Sequence, residues 1–116
     1  MANKTKNDDK NTISFIIDQI NICIGFIGGL DLDAFISDIK ACYAVSMALQ
    51  VICENTNHIT NETKILSKDI EWKKMLGLRN LISHDYGKIM FEDMYCTVKN
   101  DLPKLKQDLQ RLISKL

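Results

Sequence analysis

Five polar residues stand close together in one short stretch of this 116-residue chain, namely Arg79, Asn80, His84, Asp85 and Tyr86. Leucine and isoleucine, which are typical of protein cores, surround them. A guanidinium matches a phosphate with two parallel hydrogen bonds, and an imidazole exchanges protons near neutral pH. Together these groups are suited to bind a phosphate and to move a proton beside it.

Each of these residues also has an ordinary structural interpretation. Arg79 can pair with Asp85 or with the carbonyl end of a helix. His84 can lie at a helix end where its charge suits the dipole, and Tyr86 can fill the core. Taken one at a time, the structural interpretation is favoured for each residue. Only the combination indicates a site.

The spacing of the motif leaves two arrangements of that site open. At roughly 100° per residue, an ideal α-helix places Arg79 and Tyr86 on one face. Asn80 and His84 share another face, so that the amide can orient the imidazole. Arg79 and His84 then diverge by roughly 140°. Either the helix ends near Ser83, or a second subunit completes the site.

The elements that must position this stretch are predicted to be helices. One proline and five glycines leave little turn chemistry for a fold of many strands. Apolar residues instead recur at intervals of three and four, as on the apolar stripe of an amphipathic helix. The sequence therefore predicts an all-α fold, an up-and-down bundle of four to five helices.

Helix boundaries follow from capping residues and glycines. Residues 1–11 are polar and are predicted to form a disordered tail before a single domain over residues 12–116. The second helix is expected to continue to about Asn57, and Gly87 to end the helix that carries the motif. The predicted helix starts, in chain order, are Thr12, Asp31 or Asp33, Ser67, Ile89 and Leu102.

Charge limits the partners of the chain. The formal net charge is zero, so non-specific affinity for nucleic acid is expected to be low, with no DNA partner. Residues 1–60 carry four lysines against seven carboxylates, whereas residues 61–116 carry eleven basic against eight acidic groups. A local phosphate-binding surface in the second half is compatible with this balance. With no signal peptide and no apolar run of ~20 residues, we expect a cytoplasmic protein without a membrane partner.

The four cysteines form no metal-binding pattern. They contain no CxxC pair, and the chain has only two histidines, far apart in sequence. Neither a metal site nor another cofactor is therefore expected. The cysteines are instead predicted to be reduced thiols of the core, at Cys23, Cys42, Cys53 and Cys96.

The motif and the residues before it resemble a known family. Arg79, four intervening residues, His84, one residue and Tyr86 form an R-x4-H-x-Y pattern, with Asn80 in the polar position after the arginine. This pattern is similar to that of the HEPN superfamily, specifically its HepT-like branch. Residues 72–80 resemble the segment that leads into the motif in that branch.

Two further segments carry the same resemblance. Residues 49–55 are similar to a Leu-x-x-Ile-Gly-Glu-Ala helix of the branch, with Cys53 in place of glycine and Asn55 in place of alanine. Residues 101–105 resemble its closing helix. The likeness therefore covers nearly the whole chain after the polar tail.

The resemblance implies a homodimeric helical domain with the motif in a cleft between the subunits. It implies a metal-independent endoribonuclease, the toxin of a two-gene toxin–antitoxin module. The implied antitoxin is a minimal nucleotidyltransferase that silences the toxin by adenylylating the motif tyrosine, here Tyr86. An added nucleotide would block RNA through its bulk and its negative charge.

RNA cleavage by its own 2′-hydroxyl needs a base, an acid and a cation for the pentacoordinate phosphorus, but no metal-bound water. We assign His84 as acid and base and Arg79 as the cation, with Asn80 and Asp85 in supporting roles. One subunit offers one motif histidine, whereas a two-fold dimer offers two. The lysines expected to contact RNA are Lys68, Lys73, Lys74 and Lys88.

Two other functions compete with this hypothesis. The chain can be a non-catalytic partner of a nucleotidyltransferase that binds a nucleotide or small substrate, because fold does not fix function. It can also be a purely structural helical dimer. The intact His84 favours the nuclease, since phosphate binding needs only Arg79.

Overall fold

Four long helices carry most of the chain in the computed structural model, which describes residues 5–82 and 87–116, without the side chains of Lys88 and Ile89. None of the described residues lies in a strand, so the all-α prediction is confirmed. The elements are α1 (Lys6–Ile27), α2 (Leu32–Ser37), α3 (Ile39–Thr56), α4 (Asn61–Lys64), α5 (Trp72–Leu76), a 3₁₀ turn (Gly77–Leu81), α6 (Lys88–Asn100) and α7 (Leu102–Ser114).

The core lies where α1 packs against α3 and α7. The apolar residues that recur at intervals of three and four along α1 are fully or almost fully buried. Buried leucines of α7 also belong to this core, since α7 packs against α1. Each such side chain contributes about 1.5–3 kcal/mol by leaving water. The 3–4 periodicity is thus confirmed for both helices, through Ile13, Ile16, Ile20, Cys23 and Ile27 of α1 and Leu102, Leu109 and Leu112 of α7.

The first helix begins earlier than predicted. Thr5 caps it in a capping box, in which the Thr5 amide donates to the Asp8 carboxylate at 2.9 Å and the Asp8 amide donates to the Thr5 hydroxyl at 3.2 Å. Two donors at the start of the helix are thereby satisfied. The predicted start at Thr12 is wrong, and residues 6–11 of the predicted disordered tail are helical.

Asp9 explains why the polar start of α1 is ordered. Its side chain is only 1% exposed. It accepts hydrogen bonds from the Thr60 amide at 3.2 Å, the Thr60 hydroxyl at 2.5 Å and the Thr63 hydroxyl at 2.5 Å. A buried carboxylate needs such partners. The carboxylate therefore fastens α1 to the start of α4, 51 residues away in sequence.

The second predicted helix is in fact two helices. Asp31 caps α2 as expected, but the backbone turns at Asp38 (φ −97°, ψ 89°), whose carboxylate accepts from the Ala41 amide at 3.1 Å. This carboxylate starts α3 as a new helix. The Cys42 thiol, fully buried in the first turns of α3, donates to the Phe35 carbonyl of α2 at 3.1 Å.

Three of the four cysteines lie in the core as predicted, but Cys96 is exposed on α6, so the prediction is wrong for that residue. Burial raises the pKa of the Cys23 thiol to about 12. Burial and the nearby Asp38 carboxylate raise the pKa of Cys42 as well. Both thiols therefore lose their protons less readily than a free thiol does.

None of the helices in the described part of the chain is both long and apolar enough to span a membrane.

Candidate active site

The segment that carries the motif departs from the predicted continuous helix. An α-helix forms only over Trp72–Leu76, then tightens into the 3₁₀ turn, and Ile82 is extended (φ −95°, ψ 106°). The predicted helix from Ser67 to Gly87 is therefore wrong, and the ideal-helix angles between motif residues do not apply. In the described residues the helical conformation ends at Leu81, close to the end near Ser83 that one alternative predicted.

The turn before α5 shows why no helix starts at Ser67. The Trp72 indole N–H points back at the turn and lies 3.2 Å from the Lys64 carbonyl and 3.3 Å from the Ser67 carbonyl. The Trp72 amide donates to the Ile70 carbonyl at 3.0 Å, which closes a tight turn. The carbonyls of Lys64, Ser67 and Ile70 therefore already accept hydrogen bonds in the turn. A helix starting at Ser67 would give them no additional hydrogen bonds.

The 3₁₀ turn that carries Arg79 is packed against neighbouring helices. It packs against α3 and α6, and Leu78 is buried under it together with Met75 of α5. Arg79 and Asn80 both face solvent. A permanently charged guanidinium on a packed turn is well placed to receive a phosphate from solvent. The exposure of Arg79 is compatible with its predicted role as the cation that binds phosphate, and that role stays a prediction.

The other motif residues His84, Asp85 and Tyr86 lie outside the described residues. Whether they meet Arg79 therefore stays a prediction. Lys88 is the first residue of α6, and its side chain also lies outside the described part.

Three of the predicted RNA-contacting lysines belong to the segment that precedes the turn. Lys68, Lys73 and Lys74 are all exposed. Lys74 forms an ion pair with Glu71 at 3.4 Å, and both side chains are largely solvated, so the pair is weak and leaves Lys74 available to a phosphate. Lys64, which sequence reasoning did not select, places its ammonium 5.8 Å from the centre of the Trp72 ring.

A cavity of about 260 Å³ opens on another side of the same segment, against the junction of α6 and α7. Its lining combines buried apolar residues with a rim on which carboxylates outnumber cations. Such a rim repels phosphate. We therefore expect phosphates to bind on the exposed side of Arg79 rather than inside the cavity. The cavity lining, which includes the predicted RNA contact Lys74, consists of Asp69, Ile70, Glu71, Lys74, Met75, Leu78, Asn100, Asp101, Leu102, Lys104, Leu105 and Asp108.

Within residues 5–82 and 87–116, no group of three His, Cys, Asp or Glu side chains is arranged to hold a metal ion. Asp108, a carboxylate of the cavity lining, forms ion pairs with Lys104 at 3.0 Å and with Arg111.

Sequence reasoning missed one contact of the site segment. The Cys53 thiol on α3 donates to the Leu76 carbonyl at 3.1 Å, three residues before Arg79. The available signal was the departure from the family pattern at position 53, where cysteine replaces glycine. Periodicity alone gives Cys53 the role of a core residue and predicts no hydrogen bond.

Comparisons with known proteins place the sequence in a family. Residues 16–112 match the family described as Ribonuclease HepT-like. A Methanocaldococcus jannaschii protein named a putative RNase is 33% identical over 106 residues, covering 91% of this chain and 97% of the relative. A Thermococcus cleftensis protein named a probable ribonuclease HepT is 30% identical over 107 residues, covering 92% of this chain and 97% of the relative. No solved structure matches the chain significantly.

The match extends over most of the described fold, from the middle of α1 to the last turns of α7, and it includes the segment that presents Arg79. The all-helical architecture, the R-x4-H-x-Y pattern and the relatives agree, and this chain belongs to the HepT-like ribonucleases of the HEPN superfamily.

Proposed function

We propose that this chain is a cytoplasmic, metal-independent endoribonuclease and the toxin of a toxin–antitoxin pair. The observation that carries the proposal is Arg79, exposed on a 3₁₀ turn that is packed against α3 and α6 within a HepT-like fold. An arginine fixed in this way can stabilise charge that develops on a phosphate without reorganising first.

The reaction assigned to this site is attack of a ribose 2′-hydroxyl on the neighbouring phosphorus. His84 removes the hydroxyl proton, and Arg79 stabilises the five-coordinate phosphorane. The bond from phosphorus to the 5′-oxygen then breaks, and an imidazolium returns a proton to that oxygen. Asn80 contacts the phosphate or orients the imidazole. The products are a 2′,3′-cyclic phosphate and a free 5′-hydroxyl.

A second copy of the chain supplies the second histidine, so the active unit is the homodimer. Support comes from α3, which packs against α5 and the 3₁₀ turn and carries three apolar side chains on one exposed face. These are Ile39, Tyr43 and Met47, spaced by four residues, with Met47 62% exposed. Burying this face against its twin brings two Arg79 turns toward one cleft.

Oligomeric state tests this interface. Sedimentation of the Met47→Glu variant should show monomers, because a charge is buried without a partner. The matched control is Ile22→Glu, since Ile22 is 41% exposed on α1, which packs chiefly against α3, α6 and α7. A dimeric Met47→Glu protein beside a monomeric Ile22→Glu protein would place the interface on α1 instead.

The nuclease itself is tested with RNA and purified protein in the presence of a chelator. We expect cleavage, with fragments that end in a 2′,3′-cyclic phosphate. A non-catalytic binding module would retard RNA in a gel without shortening it. Cleavage that appears only after divalent metal is restored would contradict the metal-independent mechanism.

The antitoxin is expected to be a minimal nucleotidyltransferase that adenylylates Tyr86. The modification places a nucleotide two residues from His84, where its bulk and charge exclude RNA. Mass spectrometry after co-expression with the neighbouring gene product should show one added AMP on the Tyr86 peptide. An unmodified peptide from co-expressed, silenced protein would contradict this route of regulation.

A further inference from the structure

One thiol reaches from the core into the backbone of the site segment. Cys53 on α3 is 6% exposed, and its Sγ donates to the Leu76 carbonyl oxygen at 3.1 Å. A thiol is a weak donor, and at 3.1 Å its sulfur lies well within hydrogen-bonding distance of the carbonyl oxygen. The two residues are 23 positions apart, and the bond therefore joins two separate elements of the fold.

The bond falls at the place where the helix changes its geometry. Leu76 is the last residue of α5, and the 3₁₀ turn begins at Gly77. In a continuous α-helix, the Leu76 carbonyl would accept from the amide of Asn80, four residues on. In the 3₁₀ turn this carbonyl accepts instead from the amide of Arg79, three residues on, and the thiol adds a second donor to it from outside the helix.

Gly77 does not itself impose the change. Its backbone has ordinary right-handed angles (φ −73°, ψ −8°), which any residue adopts. A Cβ placed on Gly77 would meet no atom within 4 Å, so no close approach requires glycine there. The tighter turn is consequently attributed to contacts from neighbouring elements, and among the described residues the Cys53 thiol reaches the junction carbonyl.

The change of geometry decides where Arg79 points. Three steps from Leu76 turn by about 120° each in a 3₁₀ helix and by about 100° each in an α-helix, a difference of about 60° in direction. The rise differs by about 0.5 Å per residue, or about 1.5 Å over the three steps. A displacement of ~1 Å at a catalytic group can cost about 100-fold in rate.

We propose that Cys53 is a positioning residue of the active site, whose thiol holds the Leu76 carbonyl and thereby the 3₁₀ turn that aims Arg79. The proposal rests on the proposed ribonuclease function for its kinetic consequence and on the hydrogen bond for its structural one. Cys53 touches no substrate in this role, because it acts through the backbone of residues 76–79.

The chain offers a matched control for this contact. Cys42 is a second buried thiol of α3, and its Sγ also donates to a carbonyl at 3.1 Å, that of Phe35. This bond closes the junction of α2 and α3 rather than the segment that carries Arg79. Loss of either thiol removes one weak hydrogen bond from the core, but only loss of Cys53 releases the 3₁₀ turn.

The test compares full-length Cys53→Ala, Cys53→Ser and Cys42→Ala with the wild-type protein. In RNA cleavage we expect kcat to fall ~10- to 100-fold in Cys53→Ala, with KM changed less than about threefold. Cys53→Ser keeps a donor at the same place and should recover kcat to within about threefold of wild type. Cys42→Ala should retain wild-type kcat, so a general loosening of the core is not the cause.

A second readout is independent of activity. In backbone NMR, the Leu76 carbonyl and the Arg79 and Asn80 amides should shift in Cys53→Ala and return in Cys53→Ser. Shifts confined to the substituted residue's own helix would overturn the proposal, as would an unrestored kcat in Cys53→Ser or equal losses in both alanine variants. If wild-type protein cuts no RNA, the ribonuclease assignment fails, while these NMR shifts still decide the role of Cys53.

Discussion

The core of α1, α3 and α7 and the segment of residues 64–82 are built on different principles. In the core, apolar residues repeat every three or four positions, and each helix runs where its own stripe predicts. In the segment, two backbone carbonyls accept hydrogen bonds from side chains that are distant from them in sequence. The Trp72 indole N–H donates to the Lys64 carbonyl, and the Cys53 thiol donates to the Leu76 carbonyl. The difference teaches that local pattern determines the scaffold, whereas long-range contacts shape the site that the scaffold presents.

The largest expected effect tests the scaffold. Ile20→Ala should lower the free energy of unfolding by about 2–5 kcal/mol, because it leaves a cavity where the side chain is 0% exposed. The same substitution at Ile65, which is 69% exposed in the segment, should change it by less than about 0.5 kcal/mol. Denaturant unfolding measures both, and equal losses would show that the segment belongs to the core.

A smaller loss of stability is expected at Asp9, whose carboxylate joins the core helix α1 to the start of α4. Asp9→Ala should cost about 2–3 kcal/mol, because the donors of Thr60 and Thr63 lose a charged acceptor inside the protein. Asp8→Ala, one residue away and exposed, removes one half of a capping box and should cost about 1 kcal/mol. Thermal unfolding of the pair would contradict this contact if Asp8→Ala were the more damaging change.

The charges of the segment should affect RNA binding and leave stability unchanged. Reversing Lys73 to glutamate should weaken binding and flatten its salt dependence, by about 0.7 in log–log slope for each lost contact with single-stranded RNA. Lys40→Glu, an equally exposed change on α3, is the control. Titration of a labelled oligonucleotide at several salt concentrations measures the slopes, and identical slopes would remove Lys73 from the RNA path.

The smallest effect concerns reactivity alone. At pH 8 one thiol, that of exposed Cys96, should react at once with a chromogenic disulfide. Cys23 should react only on unfolding, since its pKa is raised to about 12 by burial. The measured quantity is the chromophore released per protein chain. Fast release of more than one equivalent from folded wild-type protein, or of any chromophore from folded Cys96→Ser protein, would contradict the described burial of the other three thiols.

The scaffold could be predicted from the sequence wherever its structure depends on local patterns. Periodicity and capping are local properties of the sequence. They predict the all-α class, the buried apolar stripe of α1 and the start of α7 at Leu102. The start of α1 at Lys6 and the break at Asp38 depend on carboxylates whose partners periodicity does not reveal.

The site was predictable in composition but only partly in geometry. Arg79 and the neighbouring Lys68, Lys73 and Lys74 are exposed, as contact with RNA requires, but their roles stay predictions. The change from α-helix to 3₁₀ turn did not follow from residues 72–81 alone, and the contact that we propose to hold it comes from Cys53 on α3. Ideal-helix angles therefore do not apply to the motif, because the helical conformation ends at Leu81 and Ile82 is extended.

The most direct measurement is single-turnover RNA cleavage in chelator by the wild-type protein and by Arg79→Ala, with equal unfolding free energies as proof of folding. Arg79 faces solvent on its turn, so its loss should leave stability unchanged within about 0.5 kcal/mol. Losing the cation that stabilises the phosphorane should lower the rate by about 10²–10³-fold. An Arg79→Ala protein that cuts RNA as fast as the wild type would contradict the account.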